Sequence, residues 1–432
     1  MNRLVTALAC ATVACQSYDF EPVEPLALTQ TTQRRVITAR APRPDVMLLV
    51  DKSGSMDLPI DPGDPDCILP NTTLCGRKGA PDSQPCNTSV CPTRWSELQE
   101  AMSNFLPASG IYVRYGLALF PGGTTATLGP PGCFEPSTAA SGGVTRDIIQ
   151  SQDVPLELQA QAQTVLSDIL AVSSSNPPGA SGTGGGTPAG PALTMLGQYA
   201  PLTTQQCAGD QCRERFVLLL TDGLPNCNPA NPNSYNVDPV ACDCALDPVR
   251  CAVYPREMCS DRTGTVSAIT NLSGLGVKTI VVGFGADTAG VSAQTTLNGM
   301  ATAGGFARTC GTPGGPTCSA GEQCISGFCE NRFYPAANRT ELETALSDIS
   351  ARVVPGLCDL ELDARPSENE FISVTFEGEN LVSGPNTWTY ILEGAPPGRP
   401  ILRFPAGQYC DRIEASTALD PLDLVVQIVT GL

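Results

Sequence analysis

The sequence predicts an α/β fold: a sheet of strands buried on both faces, interrupted by cysteine-rich insertions and followed by a small all-β unit. Three observations carry this. Residues 46–50, 215–221 and 277–284 are largely apolar runs of strand length, the pattern of strands covered on both sides. Amphipathic runs at helical spacing lie between them. Beyond Cys358 the apolar period drops from about 3.6 to about 2, the change from helices to half-buried strands.

Taken in order, the chain opens with MNRLVTALACATVACQS. This stretch resembles a bacterial lipoprotein signal whose lipobox is Thr12-Val13-Ala14-Cys15; a plain signal peptide cleaved near Ala14 or a cytosolic start are the alternatives. The expected organisation is a signal over 1–15, a tether over 16–44 with room for an edge strand at 34–39, an α/β domain over 45–354, and a β subdomain over 355–432. Insertions rich in Asp, Pro, Gly and Cys fall at about 57–92, 224–259 and 310–329.

Residues 94–106, RWSELQEAMSNFL, place Trp95, Leu98, Met102, Phe105 and Leu106 on one helical stripe, with Pro107 as a stop. Strands follow at 112–120 and 145–150. A helix over 156–172 turns Leu158, Ala162, Val165, Ile169 and Leu170 inward, then runs into the glycine-rich SSSNPPGASGTGGG. Further helices are expected at 189–199, 260–274, 298–305 and 341–354, with a last core strand at 333–334. Five short strands, CDLELD, EFISVTFEG, TWTYILE, PILRF and DLVVQIV, make up the C-terminal unit.

Net charge is −18 and the chain has no histidine. The charge argues against binding nucleic acid or an anionic membrane through a basic surface, and the missing histidine excludes Ser-His-Asp, Cys-His and His-zinc chemistry. Twenty cysteines, two of them in the leader, leave an even number in even groups: 67, 75, 86 and 91; 133 with 207, 212, 227, 242, 244, 251 and 259; 310, 318, 324 and 329; 358 with 410. This reads as a disulfide framework made in an oxidising compartment, its pairing open within each group. Thiolate-bound metal would want repeated CxxC, and only Cys242-Asp243-Cys244 comes close.

The candidate chemistry sits where the buried strands end. Asp51-Lys52-Ser53-Gly54-Ser55 presents a carboxylate and two hydroxyls at the C-terminal end of a strand, where open α/β sheets place their sites. Oxygen ligands of this kind suit a hard cation such as Mg²⁺. A plain Asp/Ser turn or helix cap is the alternative. The strand over 215–221 stops in Asp222, and two carboxylates side by side repel unless a cation or ordered amides compensate. Thr187 reads either as a helix N-cap or as an oxygen ligand to the same site, and Lys52 as solvent-facing. Asp57, Asp61, Asp64 and Asp66 form either a calcium loop or a solvated loop pinned by disulfides.

With DKSGSM, GTGGGTP, LLLTDG and VKTIVVGFG in hand, the chain resembles the von Willebrand factor A / integrin inserted-domain family, of the secreted cysteine-rich type seen in myxobacterial lipoproteins. That resemblance covers about 45–354 less the insertions. It implies a doubly wound, mostly parallel six-stranded sheet with helices on both faces. It also implies a metal-ion-dependent adhesion site in which Asp51, Ser53, Ser55, Thr187 and Asp222 hold Mg²⁺, with Mn²⁺ or Ca²⁺ as substitutes. A partner protein's Glu or Asp would complete the octahedron. The expected function is thus a non-enzymatic adhesion module of the cell envelope, an outer-membrane or cell-surface lipoprotein, or else periplasmic or secreted. The alternatives are a disulfide-stapled structural surface protein whose metal is purely structural, and a secreted metal-dependent hydrolase.

Overall fold

The computed structural model describes residues 35–36, 43–70, 72–76, 84–122, 133, 144–150, 154–173, 183, 185–208, 211–234, 236, 242, 244, 248–310, 318–319, 321–353, 358–362, 370–391, 401–405, 407–415 and 422–430. The leader and the Thr12–Cys15 lipobox reading lie outside these residues.

The elements that build the molecule, in chain order, begin with β1 (Arg35–Val36) and β2 (Asp45–Asp51), then α1 (Arg94–Ser109), β3 (Arg114–Phe120), α2 (Pro155–Leu170) and α3 (Ala189–Leu196). Next come β4 (Arg215–Thr221), α4 (Arg262–Gly274), β5 (Val277–Phe284), α5 (Val291–Ala303), β6 (Tyr334–Ala336) and α6 (Arg339–Val353). The C-terminal part holds β7 (Asp359–Glu361), β8 (Glu370–Phe376), β9 (Glu379–Leu381), β10 (Thr389–Ile391), β11 (Ile401–Arg403), α7 (Gln408–Ala415) and β12 (Leu424–Thr430).

The central sheet has five strands in the order β6-β5-β4-β2-β3, and every pairing in it is parallel. Because side chains alternate across a strand, β2 feeds two cores. Val46, Leu48 and Val50 pack with Trp95, Leu98, Val165 and Leu346, which belong to α1, α2 and α6. Met47 and Leu49 pack with Leu193, Ile269, Leu297 and Met300, which belong to α3, α4 and α5. Helices therefore cover both faces.

The expected sixth strand, at 145–150, is a correction. Only one antiparallel bridge forms there, Leu117 to Arg146. The backbone amide of Ile148 donates instead to the Tyr199 hydroxyl at 3.2 Å, and that hydroxyl donates to Asp147 at 2.7 Å, so the segment leaves the ladder after one pairing. Two smaller departures have equally local causes. Helix α1 continues through Pro107 to Ser109, whose hydroxyl bonds the Phe105 carbonyl at 2.8 Å. Leu170 is half exposed at the end of α2, while Leu158, Ala162, Val165 and Ile169 are buried as expected.

Among the described residues nine disulfides form, each within one of the cysteine groups: 67–91 and 75–86; 133–227, 207–212, 242–259 and 244–251; 310–324 and 318–329; 358–410. Asp61 and Asp64 accept bonds from amides two residues on, at 2.8 and 2.9 Å, the local turns of a stapled loop. Beyond Cys358, antiparallel sheets β1-β12-β8-β9 and β7-β11-β10 share an apolar cluster that includes Val374, Trp388, Leu402 and Phe404. The N-terminal β1 thus joins the C-terminal sheet, with Arg35 opposite Val426.

Candidate functional site

Parallel register brings the ends of β2 and β4 together. Val50 lies opposite Leu220, so Asp51 reaches Thr221 and Asp222 stands one residue further out. Thr221 Oγ1 donates to Asp51 Oδ2 at 2.6 Å, and the Ser53 amide donates to Asp51 Oδ1 at 2.8 Å. Ser53 and Ser55 hydroxyls lie 3.0 Å apart, and Ser55 Oγ donates to Asp222 Oδ1 at 2.8 Å. The other oxygen of Asp222 receives Arg94 Nη1 at 2.7 Å, an ion pair whose side chains are 3% and 0% exposed. Burial, followed by the charge of Asp222, lifts the Asp51 carboxyl well above the ordinary carboxylate range, against the lowering bonds from Thr221 and Ser53.

Asp51, Ser53, Ser55 and Asp222 are therefore assembled as one hydrogen-bonded cluster. Thr187 is held differently. Its amide donates to Asn226 Oδ1 at 2.7 Å and its carbonyl accepts the Asn226 amide at 2.8 Å. The N-cap of α3 is Pro188, so Thr187 stands one residue before it. The glycine-rich loop still meets the turn after β2, since the Gly54 amide donates to the Gly185 carbonyl at 2.9 Å. Lys52 is 1% exposed, so its reading as solvent-facing is wrong.

Disulfides close on this turn from two sides. A side chain at Gly76 would put its Cβ 2.0 Å from the Asp57 carbonyl oxygen and 3.3 Å from Cys86 Sγ, so the 75–86 staple lies against the turn itself. A Cβ at Gly186 would meet Cys227 Sγ at 2.5 Å, which places the 133–227 bridge against the glycine-rich loop.

These facts overturn the Mg²⁺ adhesion site. Among the described residues, the groups of three or more His, Cys, Asp or Glu whose ligand atoms converge within 4.8 Å are Cys67, Cys75 and Cys91; Cys242, Cys251 and Cys259; and Cys318, Glu322 and Cys329. None contains Asp51 or Asp222. The residues expected to hold the ion do not fit it either, because both oxygens of each aspartate are engaged by protein donors and Asp222 is neutralised by a guanidinium. The cysteine groups are packed disulfides, with Cys75 and Cys91 sulfurs of neighbouring bridges 3.5 Å apart, so their sulfurs are not thiolate ligands.

Sequence reasoning missed Arg94, Thr221 and Asn226. Arg94 carried a signal: a cation in the first turn of a helix opposes the helix dipole and needs a specific partner to be worth placing there. Thr221 and Asn226 carried none that separates them from ordinary strand and loop residues.

No family model matches the chain, and no curated protein matches it. Among solved structures it is similar to the pilus adhesin SpaC from Lactobacillus rhamnosus GG, at 14% identity and a TM-score of 0.39, over 91% of this chain. The chain spans 40% of the length of that adhesin. A similarity of this size establishes neither a shared fold nor a shared role.

Proposed function

We propose that the chain is a non-catalytic structural protein of an oxidising, extracytoplasmic compartment, a disulfide-stapled surface scaffold that presents its cysteine-bearing insertions to protein partners. One observation carries this reading: six of the nine bridges lie inside the three insertions, and two bridges, 75–86 and 133–227, brace the loops at the top of the sheet. Small segments without a core of their own stay ordered by such local cross-links. The hydroxyl and carboxylate groups at the sheet top are bonded to one another, which suits a fixed surface better than a reactive centre. The motif resemblance to the von Willebrand factor A family then describes the scaffold and not the chemistry of its site.

Limited proteolysis with and without a phosphine reductant tests this. Cleavage within 57–92, 224–259 and 310–329 is expected to accelerate on reduction while the five-stranded core persists, and EDTA is expected to leave the pattern of the oxidised protein unchanged. Equal cleavage rates in the two redox states, or hydrolysis of an ester or peptide panel by the purified protein, would overturn the proposal.

A further inference from the structure

The cluster at the top of the sheet contains two aspartates whose strands end side by side, and their mutual repulsion favours any positive charge that reaches it. The structure offers that charge from α1. Arg94 is the first residue of the helix; its backbone amide is held by the Leu58 carbonyl at 3.0 Å, which fixes the helix start beside the turn that follows β2. From there the side chain crosses to Asp222 Oδ2, 128 residues away in sequence, at 2.7 Å. The path is shaped for it. Gly285, just past β5, has a φ of +91°, and a Cβ there would lie 2.9 Å from Arg94 Nε. A side chain there would force the guanidinium to shift.

Two other buried carboxylates are treated the same way. Asp45, at the opposite end of β2, pairs with Arg114 Nε at 3.0 Å, and Glu322 pairs with Arg308 Nη1 at 2.9 Å; the side chains of both pairs are at most 9% exposed. Arginine is suited to this, since its charge is permanent and its planar fork matches a carboxylate.

We infer that Arg94 is the resident cation of the Asp51–Asp222 cluster, a built-in positive charge that closes Asp222 to divalent ions and keys α1 to the ends of β4 and β5. This inference is independent of the scaffold role: the staples and the guanidinium are separate observations, and either can fail alone.

A double-mutant cycle on the full-length oxidised protein tests it. Arg94→Gln leaves a buried, unpaired Asp222 and is expected to lower the folding equilibrium constant by about 10²- to 10³-fold, read from urea titration. Asp222→Asn in that background is expected to restore at least about 10-fold of the loss, because it removes the orphaned charge. Losses that simply add across the two sites would show that Arg94 acts by packing alone and would overturn the inference. Manganese binding, followed by electron paramagnetic resonance, gives a readout that packing does not move. The wild-type protein is expected to leave the signal of free Mn²⁺ unchanged, and uptake that disappears in Asp222→Asn would equally overturn it. If Arg94→Gln does not fold, Arg94→Lys keeps the charge, and it is expected to lose less than Arg94→Met in the same titration; equal losses would count against the charge role.

Discussion

Arg94 and Asp261 show what a single side chain decides here. A guanidinium in the first turn of α1 works against the positive end of the helix dipole, by about 0.3–1 kcal/mol in exposed cases. Its ion pair with Asp222 is made away from solvent, so losing the guanidinium would leave an uncompensated buried charge. Asp261 is a buried carboxylate with a gentler environment. Asn228 Nδ2 donates to it at 2.7 Å, and the close approach of Gly190 and Gly264 leaves space for both oxygens. Burial pushes its carboxyl up to about 6, against lowering bonds from Asn228, Gly264 and Thr265. An unfolded aspartate titrates near ~4. Between about 4 and about 6 the folded protein keeps a proton that the unfolded chain has released, so stability falls as pH rises through that window and levels off above it. Asp261→Asn is expected to flatten the dependence of the thermal midpoint on pH over this range. Parallel profiles for variant and wild type would show that Asp261 titrates alike in both states.

Helix α1 is the element most firmly written into the chain. Thr93 and Ser96 form a reciprocal capping box, with Ser96 N to Thr93 Oγ1 at 3.1 Å and Thr93 N to Ser96 Oγ at 2.9 Å. Its apolar stripe places Trp95, Leu98, Met102 and Leu106 at 1% exposure or less. Trp95 also donates its indole N–H to the Val172 carbonyl at 3.0 Å, tying α1 to the end of α2. Trp95→Ala is expected to cost about 3–5 kcal/mol by leaving a cavity, measured as a lower urea midpoint with an unchanged slope. A loss below about 1 kcal/mol would mean that the site collapses around the smaller side chain. The element that failed, the strand over 145–150, failed for a reason outside its own residues. Tyr199, on a later segment, takes the Ile148 amide that the ladder needed.

Across the whole molecule, seven of the nine bridges join cysteines 24 residues apart or fewer, while 133–227 and 358–410 span 94 and 52. The 358–410 bridge closes a span of 52 residues within the C-terminal apolar cluster, and Tyr112 touches both that cluster and the α1 side of the sheet core. Replacing Cys358 and Cys410 by serine is expected to destabilise the C-terminal sheets by about 2–5 kcal/mol. Scanning calorimetry of the oxidised variant is then expected to show an early transition ahead of an unshifted main one. A single transition moved as a whole would show that the two regions unfold together.

By itself the sequence determined the buried strands, the amphipathic helices that cover them and the grouping of cysteines, because each depends on the spacing of residue types along a short stretch. It also determined that Asp51, Ser53, Ser55 and Asp222 would stand at strand ends, since register in a parallel sheet follows from those same apolar runs. Only the tertiary structure decided what balances their charge. A divalent ion and a guanidinium can each balance the charge of Asp222, and the choice rests on whether a side chain 128 residues earlier has a path to it. That path is opened by the missing Cβ of Gly285, on a third segment. Local patterns hold no record of such a three-way meeting, so the element was readable and its counter-charge was not.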